Sequence, residues 1–248
     1  MLWVLDLDGV VWLAGSAIEG SAGAVERLRA AGESVAFVTN NSTPNLARYV
    51  RMLAGVGLEV DEQELVTSAQ AAASMLVEGS TAVCVGGDGL AEALVQRKVN
   101  LVDAGSRPDS VVVGRTVALD FVELAAAARA IREGSRFIAT NTDATFPTPH
   151  GLEPGAGALV AYLEVASGVK AEPAGKPAAP MADLLLARFG PPGIVVGDRP
   201  DTDGRFAQRL GVDFALVLTG VTSKADLPVE PEPALVAEDL AGVVAEKL

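Results

Sequence analysis

Asp6 and Asp8 stand two residues apart at the end of the apolar run Leu2-Trp3-Val4-Leu5, with Gly9 directly after them. The run reads as a short buried strand, and side chains at i and i+2 of a strand point to the same face. The two carboxylates therefore project together from a strand end, beside a glycine that lets the backbone turn sharply. Neighbouring carboxylates repel, so a metal ion, a shared proton or both must compensate. A nucleophile next to a general acid/base is the chemistry such a pair suits.

Three further groups belong with that pair. Thr39-Asn40-Asn41-Ser42 offers a hydroxyl and amides where a strand gives way to a helix, a setting that binds phosphate oxygens together with helix N–H groups. Lys176 lies between Gly175 and Pro177 as a point charge, and Asp198, Asp201 and Asp203 cluster after the strand-like Ile194-Val195-Val196. Taken singly, each has a plainer reading as turn, cap or surface chemistry. Together they supply a nucleophilic carboxylate, an acid/base, a phosphate clamp, a lysine and a further metal-binding acid. That set suffices for phosphoryl transfer.

The elements that must position these groups alternate strand and helix almost throughout. Strands are expected near 2–5, 34–38, 81–85, 110–114, 136–140, 193–197 and 214–218. Helices are expected over 20–31, from Pro44 through Leu53, over 61–78 (one or two), 90–97, 120–133, 156–167, 180–189, 202–210 and 235–247. Such alternation implies an α/β fold with a mostly parallel, doubly wound sheet, whose ligand site lies at the carboxyl ends of the strands. Asp6/Asp8, Thr39/Asn40 and Asp198 all fall at such ends.

Composition narrows the function. Half of the 248 residues are apolar, enough for a sizeable core, and the formal net charge is −13. Without a clustered basic face the chain is not expected to bind nucleic acid, and an anionic substrate must be captured by local groups rather than by the long-range field. No window approaches the roughly 18 apolar residues of a membrane span. Asp6 and Asp8 interrupt any signal-peptide pattern. The single cysteine, Cys84, reads as a small apolar strand residue. A cytoplasmic location is the expectation.

The combination of Asp-x-Asp-Gly, the Thr39-Asn40-Asn41-Ser42-Thr43 strand end, Gly-Lys-Pro and Gly197-Asp198-Arg199-Pro200-Asp201-Thr202-Asp203 resembles the haloacid dehalogenase superfamily of phosphatases. Ala139-Thr140-Asn141-Thr142-Asp143 and Pro154-Gly155-Ala156-Gly157 extend the likeness, from end to end, to its 4-nitrophenylphosphatase-like (NagD-type) branch. The resemblance implies a Rossmann-like core of residues 1–68 and 171–248 and a smaller inserted α/β cap over 69–170. It implies Asp6 as nucleophile, Asp8 as acid/base, and Mg²⁺ held by Asp6, the Asp8 backbone carbonyl and Asp198. Thr39, Asn40 and Asn41 would hold the phosphate, Lys176 would bridge Asp6 and phosphate, and Asp203 would support the metal's waters or Lys176. From the cap, Asn141 and Asp143 would order a substrate-facing loop carrying Phe146.

The activity so implied is Mg²⁺-dependent hydrolysis of a small phosphorylated metabolite, of the glycerol 3-phosphate, phosphoglycolate, sugar phosphate or nucleoside monophosphate class, through an aspartyl-phosphate. A phosphoryl-transferring mutase and a non-catalytic phosphometabolite sensor are the alternatives. Relatives in the branch often dimerise through the cap, although no exposed apolar patch is identifiable from the sequence. Arg115 stands where relatives often carry an aspartate, so a relative's substrate preference does not transfer directly. His150, the only histidine, has no evident partner and reads as a cap-loop surface residue.

Overall fold

A computed structural model describes all 248 residues. Six parallel strands form one sheet, in the spatial order Leu235–Ala237, Asp213–Val217, Ile194–Gly197, Leu2–Leu5, Ser34–Thr39, Leu65–Thr67. Side chains alternate along each strand, and both faces are buried. Leu2, Val4, Ala36, Val38 and Val195 point to one layer of helices. Trp3, Leu5, Val35, Phe37 and Val196 point to the other, against helices Ser21–Ala30, Leu46–Gly55 and Leu240–Lys247. A sheet covered on both faces explains the nearly continuous apolar runs in its strands.

A second parallel sheet runs Glu172–Pro173, Arg136–Ala139, Ser110–Val113, Thr81–Val85, Asn100–Leu101. One face carries Val83, Val111, Val113 and Phe137 against helices Phe121–Arg132 and Ala156–Ser167. The opposite face is not a separate core. Ala82, Val112 and Ile138, with Leu90 and Leu94 of helix Asp88–Gln96, belong to the same buried cluster as Leu2, Val4 and Val195. The alanine-rich helix Ser68–Ser74 joins the two, packing on Asp88–Gln96 and on Ala179–Phe189.

Several elements differ from the sequence reading. Within 61–78, Asp61 caps a short turn, Glu62–Glu64, followed by the strand Leu65–Thr67 and only then a helix. Three strand residues leave no periodicity to detect. The closing helix is likewise preceded by a strand, Leu235–Ala237, and begins after Asp239, whose side chain accepts from Gly242 N. The helix expected at Pro44 starts at Leu46, because the Asn45 side chain caps Arg48 N. Two small hairpins, Trp12–Leu13 with Ser16–Ala17 and Thr145–Thr148 with Gly151–Pro154, were not anticipated. Glu172–Pro173 pairs with the second sheet, although it lies within the span expected for the core.

The loop 41–45 is gripped closely by the second sheet's elements. Gly89 N donates to Thr43 O at 2.9 Å, and a Cβ on Gly89 would fall 2.1 Å from Pro44 O. In an ordinary helix Gly→Ala is stabilising by up to about 1 kcal/mol. At Gly89 the collision reverses the sign, so Gly89→Ala is expected to cost roughly 1–3 kcal/mol, read as a lower denaturant midpoint at unchanged m-value. An unchanged or raised midpoint would mean the two sheets are not held this closely.

Candidate active site

Because the six-stranded sheet is parallel throughout, its carboxyl ends share one edge, and the chemistry collects there. Asp6 follows Leu5 and is tied to the adjoining strand by Asp6 N to Val196 O at 2.9 Å. Asp198 follows Gly197, and Thr39 ends its own strand. A cavity of about 60 Å³ at this edge is lined by Asp6, Asp8, Thr39, Asn40, Asn41, Asn141, Asp143, Phe146, Lys176 and Asp198, among others. Every sequence-derived candidate except Asp203 is on that wall. Asp203 is fully buried just behind it.

The centre of the site is a buried ionic chain. Lys176 Nζ lies 2.8 Å from Asp6 Oδ1 and 2.6 Å from Asp203 Oδ1. Asp6 Oδ1 also accepts from Leu7 N at 2.8 Å, while Asp203 Oδ2 accepts from Arg199 N at 3.1 Å. A wide π-type turn, Pro200–Gly204, brings Asp203 back toward the sheet, with Asp203 N donating to Arg199 O at 2.7 Å. Gly197 makes this possible, since a Cβ there would lie 2.2 Å from Asp203 Cγ.

The charges do not balance. Burial raises the pKa of Asp6, with Asp8 adding to it and Lys176 opposing it. Asp198 is pushed well above the usual carboxylate range by burial and by the charges of Asp203 and Asp6. Burial raises Asp203 as well, against the pull of Lys176. On Lys176 burial acts downward, but Asp203 and Asp6 outweigh it and its pKa rises. One ammonium cannot compensate this many acids in a low-dielectric setting.

A divalent cation fits the residues present. Carboxylate oxygens of Asp6, Asp198 and Asp203 lie within 4.8 Å of one another. Asp198 Oδ1 is buried with no hydrogen-bond partner, while Oδ2 accepts from Val221 N at 2.6 Å. Gly9 and Gly220 press on this carboxylate, where added Cβ atoms would fall 2.5 and 1.9 Å from its atoms. An orphaned buried carboxylate oxygen beside a second carboxylate suits a hard cation. Both Asp203 oxygens are engaged, by Lys176 and by Arg199 N, so Asp6 and Asp198 are the pair that would hold a cation. The Asp8 carboxylate is not part of this cluster.

Asp8 is held differently. Its Oδ1 accepts from Trp12 Nε1 at 3.1 Å, and Trp12 stacks on Tyr49 with 6.4 Å between ring centroids and 5° between planes. Burial raises its pKa to about 6, against the Trp12 hydrogen bond and the charge of Lys176. On the opposite wall, Asn40 Nδ2 donates to Asp143 Oδ2 at 3.1 Å and to Lys176 O at 3.1 Å, and Asn141 Nδ2 donates to Asn40 O at 2.6 Å. Asn141 Oδ1 accepts from Asp143 N. Phe146 lies in the 145–154 hairpin at the cavity rim.

Sequence reasoning gives no site role to the wall residues Leu13, Pro147 and Val221, treats Arg115 only as a departure from relatives, and quotes Arg199 and Thr202 only as parts of a motif. Trp12 was overlooked too. Its available signal was an indole four residues after Asp8, across the Gly9 turn, where a buried N–H needs an acceptor. His150 is exposed in the hairpin turn, its backbone N bonded to Thr148 Oγ1, away from the cavity wall. Cys84 is half-buried in its strand, and burial pushes its thiol up to about 11.

Parallel sheets carrying an Asp-Lys-Asp chain and a hard-cation pocket at the carboxyl edge define a hydrolase-type phosphate site, and comparison with known proteins agrees. A haloacid dehalogenase-like hydrolase family model matches residues 3–100, and a related HAD-hydrolase-like model matches 173–243. The chain is 37% identical to D-glycerol 3-phosphate phosphatase of Mycobacterium tuberculosis over 96% of its own length and 69% of that protein's. It is 31% identical to the acid sugar phosphatase of Staphylococcus haemolyticus, over 98% and 95% of the two chains. The crystal structure of the mycobacterial glycerol phosphate phosphatase in complex with magnesium superposes with a TM-score of 0.91 at 35% identity, covering 98% of this chain and 75% of that one. The p-nitrophenyl phosphatase of Archaeoglobus fulgidus gives 0.92 at 30% identity, over 99% and 98%. The chain belongs to the haloacid dehalogenase-like hydrolase family.

The acids make stability depend on pH and metal together. Asp6, Asp8, Asp198 and Asp203 each bind their proton more tightly folded than unfolded. Their favourable contribution is complete below the unfolded value of 3.8 and, for Asp8, is lost as pH rises through about 6. Metal-free protein is therefore expected to melt lower at pH 7 than at pH 5. Mg²⁺ at a hundredfold its dissociation constant should return about 2.7 kcal/mol at pH 7. Calorimetry with and without chelator checks this, and a metal-insensitive melting temperature at pH 7 would contradict it.

Proposed function

We propose that this chain is a Mg²⁺-dependent phosphomonoesterase acting on a small phosphorylated polyol or sugar through an aspartyl-phosphate. The observation that carries the reading is the shared Lys176 between Asp6 and Asp203, set beside the unpartnered Asp198 oxygen on the wall of one small cavity. In this reading, Mg²⁺ on Asp6 and Asp198 offsets the repulsion between carboxylate and phosphate dianion and stabilises charge in the transition state.

The chain's own groups do the rest. Lys176 and the Leu7 N–H hold Asp6 Oδ1, which fixes the carboxylate that attacks phosphorus. Thr39 and Asn40 hold the phosphoryl oxygens. As the bond from phosphorus to the ester oxygen breaks, the Asp8 carboxyl gives that oxygen its proton. Asp8 then takes a proton from the water that attacks phosphorus, which releases phosphate and restores Asp6. Burial beside Trp12, which raises Asp8 to about 6, suits a group that must both give and take a proton.

The six-stranded unit acts as the core and the second sheet, over roughly 69–170, as a cap that excludes water and meets the leaving group. The named activities of the relatives point to glycerol 3-phosphate or a sugar phosphate as the first substrates to assay.

Asp6→Asn is expected to lower kcat at least about a thousandfold, and EDTA to abolish turnover that added Mg²⁺ restores. Asp8→Asn should separate the two half-reactions. Nitrophenolate leaves without a proton, so 4-nitrophenyl phosphate should give a burst of product equal to enzyme, followed by turnover slowed about 10²–10⁴-fold. Glycerol 3-phosphate should give no burst. Unimpaired steady-state turnover by Asp6→Asn would overturn the nucleophile assignment.

A further inference from the structure

Phe146 and Pro147 of the 145–154 hairpin form part of the cavity wall. No residue of this hairpin belongs to any of the three buried clusters. Its hydrogen bonds through side chains are confined to two places. Thr148 closes its own turn, and every other one comes from Arg115.

Arg115 grips both strands at once. Phe146 and Glu153 are cross-strand partners. The Arg115 guanidinium lies 4.5 Å from the Phe146 ring centroid, donates to Glu153 Oε2 at 2.8 Å and donates to Pro154 O at 3.3 Å. Its own backbone is anchored elsewhere, because Arg115 O accepts from Thr43 Oγ1 at 3.1 Å and the preceding Gly114 packs on Ser42 and Thr140.

The rest of the boundary between the two sheets is tight. Ser42 Oγ meets Thr140 Oγ1 at 3.1 Å, Leu46 N donates to Glu92 at 3.1 Å, Gly175 N donates to Thr140 O at 2.7 Å, and one buried cluster of 26 residues spans both sheets. Swinging the whole second unit outward would break all of these and expose that core. Freeing the hairpin breaks one cation–π contact and two hydrogen bonds. Motion is drawn from the least buried, least bonded part of a structure.

We propose that Arg115 is the latch of a local lid: it is a positioning residue that holds hairpin 145–154, and with it Phe146, over the leaving group, while the two-sheet body stays rigid through the catalytic cycle. The kinetic part of this inference rests on the phosphomonoesterase reading; the mechanical part does not. Arg115 binds no phosphate in this scheme. Its removal loosens the wall that meets the leaving group and leaves phosphate capture intact. Lysine cannot replace it, since an ammonium lacks the planar fork that reaches Glu153 and Pro154 together.

Hydrogen exchange tests the mechanics. In Arg115→Ala, amides of 145–154 should exchange faster with the second sheet unchanged; acceleration across the whole 81–139 region, or none in the hairpin, would overturn the latch. Kinetics test the consequence. KM for glycerol 3-phosphate should rise about tenfold in Arg115→Ala and nearly as much in Arg115→Lys, with the inhibition constant of inorganic phosphate within about twofold of wild type. A parallel rise in that constant, or an unchanged KM, would refute the idea. Should Arg115→Ala not fold, Glu153→Gln, which weakens the same grip at a half-exposed site, must show the same KM-selective rise.

Rigidity is tested by hydrogen exchange of the wild-type enzyme with and without inorganic phosphate. Amides of 81–113 should exchange alike in both states, and phosphate-dependent protection across that region would show that the whole second unit must swing. Wild-type protein that turns over no phosphate ester would instead sink the function proposal and leave the exchange result standing.

Discussion

One buried ammonium shared by two carboxylates sets the terms for everything at the carboxyl edge of the main sheet. Lys176 sits 2.8 Å from Asp6 and 2.6 Å from Asp203, and all three are almost removed from solvent. Taking such charges out of water costs several kcal/mol per ion, recovered only if geometry is good and the remaining lone pairs are satisfied. The fold meets that condition with backbone. Leu7 N holds Asp6, Arg199 N holds Asp203, and the π-type turn exists to bring Asp203 back. Asp198 is the acid this arrangement leaves over. Its unpartnered oxygen is the point at which the protein alone stops being electrostatically complete.

That incompleteness explains the glycines. Gly9, Gly197 and Gly220 each stand where a side chain would run into Asp198 or Asp203, and Gly9 also has the positive φ of 84° that favours glycine. Carboxylates pressed against bare backbone cannot swing toward water to relieve their repulsion. They are held apart from solvent and ready for a cation instead. Rigidity of the surrounding body serves the same end, because acids dispersed over two strand ends and a turn keep their spacing only if those strands do not move. A core shared by both sheets supplies that stiffness.

Much of the site was legible in the sequence because its residues are polar groups at the ends of apolar runs. Asp6 and Thr39 each follow four apolar residues, and Asp198 follows three and a glycine, a pattern visible without knowledge of tertiary structure. The missed features are those that local periodicity cannot carry. Leu65–Thr67 and Leu235–Ala237 are three-residue strands whose identity comes from pairing with neighbours far along the chain. Arg115 was noticed as a departure, but its stack on Phe146 and its grip on Glu153 arise from a hairpin folded 31 residues later, counting from 115 to 146. Trp12 acquires its place only because Tyr49 comes to lie beneath it.

The charge balance of the whole molecule bears on how such a site works. With a formal net charge of −13 the long-range field repels a phosphate ester. The cations near the cavity do little to reverse this at a distance: Lys176 is neutralised by Asp6 and Asp203, Arg115 by Glu153, and Arg199 pairs with Asp201. Attraction must therefore be short-ranged, and it has to come from groups that act only once the phosphate is inside. Backbone N–H groups at strand ends, the Thr39 hydroxyl and a cation on Asp198 would all have that property. A site so built gains little from diffusional steering and much from desolvation, since each of those contacts strengthens as water leaves. On the proposed function, this favours a cavity that closes around the phosphate and leaves its rim to the leaving group.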